Sequence, residues 1–451
     1  MRALPAMFAV VLVLSAVAGA AIPGTASLPD DAVSPDVTIN PVSDAYSVQQ
    51  STERPSGASV NNQTARNASI RVLGIPSAQV DRSSLVTRTV ELGPALTLDD
   101  NETKMQIKTL AAIDRIKSTE SPDRRQQLIL QELTTIEQAA ISLRARQETT
   151  LQAYGEGKID SRTLLIRLAI IDMHARAFED RSDRIQEISK SVSDFSVDSR
   201  TASVERELDT FTGPVRQHVG DVLTGKAEST RFFVQTGPES IVLSTIRRDI
   251  YVREVYRGDI RRRGSGITSD IEALNATVAA YPNISALQYR QNGTNIVGTD
   301  DNSFLVRIRH DRGRLFAFVD SGSQRVFKAF QYRPLDTMEP ESTQSAVKDG
   351  LKLTAHQTYS GAPVRFTLND TETGEPVNAL ITVGLRGERS TAVGKTGSDG
   401  SLWTMAPGQA YQVTAIKGNS VVLLTVEPGN PPFVNGNQTQ TGNASAVPVP
   451  A

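Results

Sequence analysis

The chain has no cysteine, one tryptophan (Trp403) and four histidines in 451 residues. Without cysteine there are no disulfides, thiolate metal sites or thiol nucleophiles, so packed cores alone must hold the molecule together. His174, His218, His310 and His356 are scattered, and only His218 with Asp221 approaches ligand spacing, which predicts neither a metal centre nor a proton relay. An excess of charge is also missing: 48 basic residues meet 50 acidic ones, a net of -2. Nucleic acid and anionic membranes are therefore not the expected partners, and no cofactor is expected. After the N-terminal region no apolar run approaches the roughly 20 residues of a membrane span.

What is present points outward. Arg2, the apolar run 7–21 and the small residues Ala16-Val17-Ala18 or Ala18-Gly19-Ala20 make a secretory signal over 1–27. Nine Asn-x-Ser/Thr acceptors follow: Asn62, Asn67, Asn101, Asn275, Asn283, Asn292, Asn369, Asn437 and Asn443. They take about half of the chain's 17 asparagines. A glycan is bulky and hydrated, so occupied sites must lie on the surface of an exported protein. The expected location is extracellular or at the cell surface, with no membrane span once the signal is cleaved.

The expected fold is multidomain, α and β. Residues 28–66, rich in Ser, Pro, Asp and Asn, predict a flexible glycosylated linker. A short β segment over 67–100 carries two apolar-alternating runs. A helical domain over 101–228 contains a long antiparallel hairpin. Ile129, Leu133, Ile136, Ala140, Leu143 and Tyr154 follow a four-three spacing, filled by Gln147 and Thr150, between Pro122 and Gly155. Leu164, Leu168, Ile171, Ala175, Phe178 and Ile185 repeat it after a cap at Asp160 or Ser161. Shorter helices are expected at 105–116, 204–208 and 214–223. Period-two runs from Arg231, with a helix over 268–281, predict a mixed α+β domain at 229–338. A seven-stranded β-sandwich over 348–428 and a disordered tail over 429–451 complete the chain.

Two stretches resemble known families. The run from Gly313-Arg314-Leu315-Phe316 through Asp320-Ser321-Gly322 to Arg325-Val326 resembles the closing hairpin of PepSY-type domains, exported modules that often accompany peptidases. Thr373-Gly374-Glu375-Pro376-Val377, Thr396-Gly397-Ser398-Asp399-Gly400, Ala406-Pro407-Gly408 and Tyr411-Gln412-Val413 resemble carboxypeptidase-regulatory-like and immunoglobulin-like sandwich repeats, which implies a spacer or binding module without an active site. The whole is similar to exported haloarchaeal proteins rich in Arg and acceptor sites and poor in Cys, although those are more acidic.

Apparent catalytic motifs do not hold up. Gly220 to Lys226 imitates a phosphate loop but has Ala227 where Ser or Thr must bind magnesium, and it follows a helix. Ser345-Ala346-Val347-Lys348 and Lys395-Thr396-Gly397 imitate penicillin-binding motifs at too short a separation. Asp99-Asp100-Asn101-Glu102 and Asp300-Asp301-Asn302-Ser303 lack the ligand order of a calcium loop and read as turns or caps. Arg257, Arg261, Arg262 and Arg263 are the candidate interaction surface. The expected function is an exported, non-enzymatic interaction protein with envelope protein partners. The alternative is a modulator of an extracellular peptidase acting through the PepSY-like hairpin.

Overall fold

The computed structural model describes residues 70–434 except 263, 265, 268, 287–293, 299–302, 386 and 388. The signal, the linker, most of the tail, Arg263 and the acceptors Asn62, Asn67, Asn292, Asn437 and Asn443 lie outside the described residues. Strand β1 (Arg82–Arg88) leads into five helices, α1 (Leu92–Lys117), α2 (Pro122–Gly155), α3 (Ser161–Ser189), α4 (Asp198–Leu208) and α5 (Pro214–Leu223). Next come β2 (Thr230–Gly237), β3 (Ser240–Arg247), β4 (Ile250–Arg257), α6 (Asp270–Ala280), α7 (Pro282–Ala286) and β5 (Thr294–Gly298). Strands β6 (Ser303–His310), β7 (Gly313–Asp320) and β8 (Arg325–Pro334) complete the first sheet.

The long helices follow their seams. Ser121 accepts the Arg124 N–H at 3.4 Å ahead of Pro122, and Asp160 accepts the Thr163 N–H at 2.8 Å. Ile129, Leu133, Ile136, Ala140 and Leu143 of α2 share one buried cluster with Ile171, Ala175 and Ile185 of α3. Leu151 and Tyr154 share another with Leu164 and Leu168. Helix α1 corrects the reading of 92–116: it starts thirteen residues before Met105 and runs for 26 residues, with Leu98, Met105, Thr109, Ala112, Ile113 and Ile116 turned inward. Asp99, Asp100 and Asn101 therefore sit inside a helix, neither in a turn nor at a cap, and Asn101 returns its amide to the Thr97 carbonyl at 2.7 Å. Only one strand, β1, forms between 70 and 91; the Ile70 to Ile75 run instead makes a single bridge from Val72 to Phe433.

The first sheet is antiparallel throughout, in the order β1-β2-β3-β4-β8-β7-β6-β5. It is covered on both faces, which is why β3 and β4 are buried nearly end to end rather than alternately. Phe232, Val234, Ile241 and Leu243 face α3 and α5, while Phe233, Val242, Tyr251 and Val255 face the side carrying Ile70, Val72 and α6.

The C-terminal β region contains two four-stranded sheets. One has the order β14-β11-β10-β9, from β9 (Ser342–Lys348), β10 (Leu351–Gln357), β11 (Pro363–Asp370) and β14 (Ser401–Met405). The other has the order β13-β12-β15-β16, from β12 (Leu380–Leu385), β13 (Thr391–Lys395), β15 (Tyr411–Lys417) and β16 (Ser420–Val426). Leu353, Phe366 and Leu368 of the first share a core with Ile381, Val413 and Val422 of the second. Among the described residues there are eight strands where seven are expected. The extra one, β9, is a largely exposed edge strand with a polar sequence that gives no apolar alternation. Ser345 to Lys348 belongs to it. The Thr396 hydroxyl donates to Val377 O at 2.6 Å and accepts from Ala379 N at 2.9 Å, so Lys395-Thr396-Gly397 is a packing feature. This region meets the first sheet where Ser244 Oγ donates to Gly361 O at 2.9 Å and where Gly361 lies against the Phe233 ring.

Candidate interaction site

The arginine stretch at the end of β4 does not present one surface. Arg257 is only 7 % exposed: its guanidinium donates to both Asp259 carboxylate oxygens, to Gln79 Oε1 and to Gly74 O. That corrects its place in the expected surface, because a guanidinium committed to carbonyls and a carboxylate inside the fold is unavailable to a partner. Arg261 is partly covered, stacked over the Phe327 ring at 4.6 Å between Glu207 at 3.8 Å and Asp320 at 3.7 Å. Arg262 is exposed, and its main-chain N–H donates to Asp320 Oδ2 at 3.0 Å.

Arg261 and Arg262 line a cavity of about 420 Å³ with Arg144, Glu148, Glu207 and Asp320. Arg144, which helical spacing places off the apolar seam, is ion-paired with Glu207. Burial holds the Tyr256 hydroxyl in its protonated form, with Arg261 acting the other way. Three arginines here face Glu148, Glu207, Glu239 and Asp320, so the cleft is charge-balanced and is not built for a polyanion.

The larger groove, of about 490 Å³, runs between α1, α3 and α5. Asp172, Arg176, Asp180 and Arg184 line it at four-residue spacing along α3, so they share one helical face. Arg176 pairs with Asp172 at 2.9 Å and Arg184 with Asp180 at 2.9 Å. Leu110 stands at its edge, and α1 also exposes Leu92, Leu96 and Ile107. Sequence reasoning missed the Leu92 and Leu96 end of this stripe because it took the helix to start at Met105. Lys226, in the phosphate-loop look-alike, also lines the groove, just past Gly225 at φ +80°.

Beneath the groove lies a buried polar hub. Arg216 and Glu254 are each 1 % exposed and paired at 2.6 Å. Glu254 Oε2 accepts the main-chain N–H groups of Val215 and Arg216 at the start of α5, and Arg216 reaches Gln147 Oε1 at 2.6 Å and Phe211 O at 2.8 Å. Lys328 is buried between the Phe318 and Phe330 rings and donates to the carbonyls of Asp209 and Thr212. Burial pushes its amine down to about 8, with Asp209 and Glu254 opposing.

Acidic groups beside the hub shift the opposite way. Burial raises Glu179 to about 8, helped by Asp209 and Asp172 against Arg176 and Lys328. Burial and Asp183 raise Glu205 to about 7. A carboxyl raised in the fold contributes stability that is complete below its unfolded value near 4.5 and is lost as pH climbs through the folded value. The Glu179→Gln protein should therefore gain stability over wild type between pH 5 and 8, by at most about 1.4 kcal/mol per pH unit. Paired urea titrations check this; a difference independent of pH would refute it.

Burial lowers His218 and His310 to about 4, so both are neutral imidazoles at pH 7. His310 Nδ1 accepts from Arg312 N at 3.2 Å, and His218 Nε2 lies 3.5 Å from Thr230 Oγ1. Among the described residues no group of three His, Cys, Asp or Glu is placed to hold a metal ion. Of the described acceptor asparagines, Asn275 is exposed on α6, while Asn101, Asn283 and Asn369 are half-buried. Among the described residues no helix is long and apolar enough to cross a membrane.

Comparison with known proteins divides the chain in three. Residues 342–424 match an archaeal fibronectin-III type-like domain, which agrees with the immunoglobulin-like resemblance of the C-terminal region. Residues 232–339 match a family of unknown function (DUF7094). No curated protein and no solved structure matches. Residues 1–228, just over half of the 451, match a domain of unknown function (DUF7096), and the chain belongs to that family.

Proposed function

We propose that this chain is an exported, N-glycosylated, non-enzymatic protein of the cell surface or its surroundings that binds protein partners of the envelope. The observation that carries this reading is the exposed stripe Leu92, Leu96, Ile107 and Leu110 on α1, beside the charged groove on α3. Apolar contacts bordered by charged groups are the usual anatomy of a protein interface. In this reading α2 and α3 form an antiparallel hairpin that stiffens the layer presenting α1. The fibronectin-III-like region, arranged as a sandwich, is the spacer, and its archaeal match fits a surface or interaction protein.

The peptidase-modulator alternative gains less support. β7 and β8 lie inside the first sheet, each flanked on both sides, so that hairpin has no free edge to pair with a peptidase strand.

The test uses purified full-length protein and envelope preparations. Ile107→Glu with Leu110→Glu should weaken binding at least tenfold without changing the melting temperature, and peptide mass spectrometry should find glycan on Asn275. Binding indifferent to the double substitution, or native protein recovered from cytosol with its leader intact, would defeat the proposal.

A further inference from the structure

A crevice of about 170 Å³ separates β1 from the C-terminal region, lined by Ser83, Arg231, Gly384, Arg389, Thr391 and Gln409 among others. Arg231 extends from β2 across the junction, and Nη1 donates to Thr404 Oγ1 on β14 at 3.1 Å. Among the described residues no carboxylate lines the crevice and none acts on Arg231. A second guanidinium, Arg389, stands at the exposed rim. The Tyr411 hydroxyl, fully buried and close enough to Arg231 to interact with it electrostatically, has no hydrogen-bond partner. Burial depresses the Arg231 guanidinium to about 10, as expected for a cation taken out of water without a counter-charge.

We propose that this crevice binds a small oxyanion, which Arg231 anchors from β2 and Arg389 closes from the β12–β13 turn. Arg231 is half-buried without a counter-charge, which favours an anion beside it, and an oxyanion meets a guanidinium through two parallel charge-assisted hydrogen bonds. The volume suits an ion of phosphate, sulfate or acetate size. Bound there, the anion bridges the first sheet and the C-terminal region. This site is separate from α1, so its fate does not decide the envelope-binding reading.

The test is calorimetric titration of the full chain with sulfate, phosphate and acetate in turn, at constant ionic strength set with chloride. One saturable site is expected, lost in Arg231→Met, retained with weaker affinity in Arg231→Lys, and weakened at least tenfold in Arg389→Met. Preference for the tetrahedral ions identifies a free inorganic ligand, and preference for acetate a carboxylate-bearing one. Should Arg231→Met not fold, the rim variant Arg389→Met decides alone. No saturable site, or heats identical in wild type and Arg389→Met, overturns the proposal. So does Glu388→Gln creating an anion site that wild type lacks, because Glu388, outside the described residues, would then be the counter-charge.

Discussion

Glu254→Ala is expected to cost about 3–5 kcal/mol, the largest single loss in the chain, because it strands a buried charge. Glu254 lies on β4, neutralises Arg216 and takes the first free N–H groups of α5, where the helix dipole favours a negative group. With the carboxylate gone, Arg216 keeps Gln147 and Phe211 but has no counter-charge, and its Nη2 is already without a partner. Urea unfolding at pH 7 measures the loss; a change below about 1 kcal/mol would refute the assignment. A double variant, Glu254→Leu with Arg216→Met, should recover part of the loss, since replacing both members of a buried pair by apolar groups is often neutral. Failure to recover would mean that α5 needs the carboxylate as a cap more than it needs charge balance.

Gly361→Ala is the second large expected effect, about 2–4 kcal/mol. Gly361 has φ +73°, and a Cβ there would lie 2.5 Å from the Phe233 ring. Left-handed backbone costs an alanine about 1 kcal/mol, and displacing a core ring adds the roughly 1–3 kcal/mol of overpacking. Gly374→Ala supplies the control: φ is +74°, but nothing lies within 4 Å, so only the backbone cost of about 1 kcal/mol should appear. Equal losses in the two variants would show that Phe233 does not set the junction. A larger loss at Gly361 should come with faster proteolysis between β8 and β9, because the Ser244 bond to Gly361 O also holds that junction.

Local signals in the chain were readable where apolar spacing meets a cap. Ile129 to Tyr154 and Leu164 to Ile185 are buried as their spacing requires, apart from the half-buried Phe178, and Ser121 and Asp160 begin their helices. The short helices at 198–208 and 214–223 include the expected segments. What stayed hidden depends on distant partners. Arg216 and Glu254 look like ordinary surface charges until residues 38 apart meet in the interior. Arg257 could not be recognised as internal because its acceptor, Gly74 O, lies 183 residues earlier. Strand β1 pairs with β2 across the about 140 residues that hold the five helices, so no neighbouring strand announces it. Helix α1 has no side-chain cap at Glu91 and exposes Leu92 and Leu96 in its first turns, so nothing local marks where it begins.

The bridge between Val72 and Phe433 has a mechanical meaning. Val72 N donates to Pro432 O and Val434 N to Val72 O, both at 2.9 Å, in a parallel arrangement with Ile70, Val72 and Val434 packed inward. Tension applied across residues 70 and 434 would pull these two segments past each other lengthwise, so both bonds would bear the load together instead of parting in turn. A protein tethered on one side and gripped by a neighbour on the other would thus resist stretching at this latch before strain reached the helices or the sheets behind it.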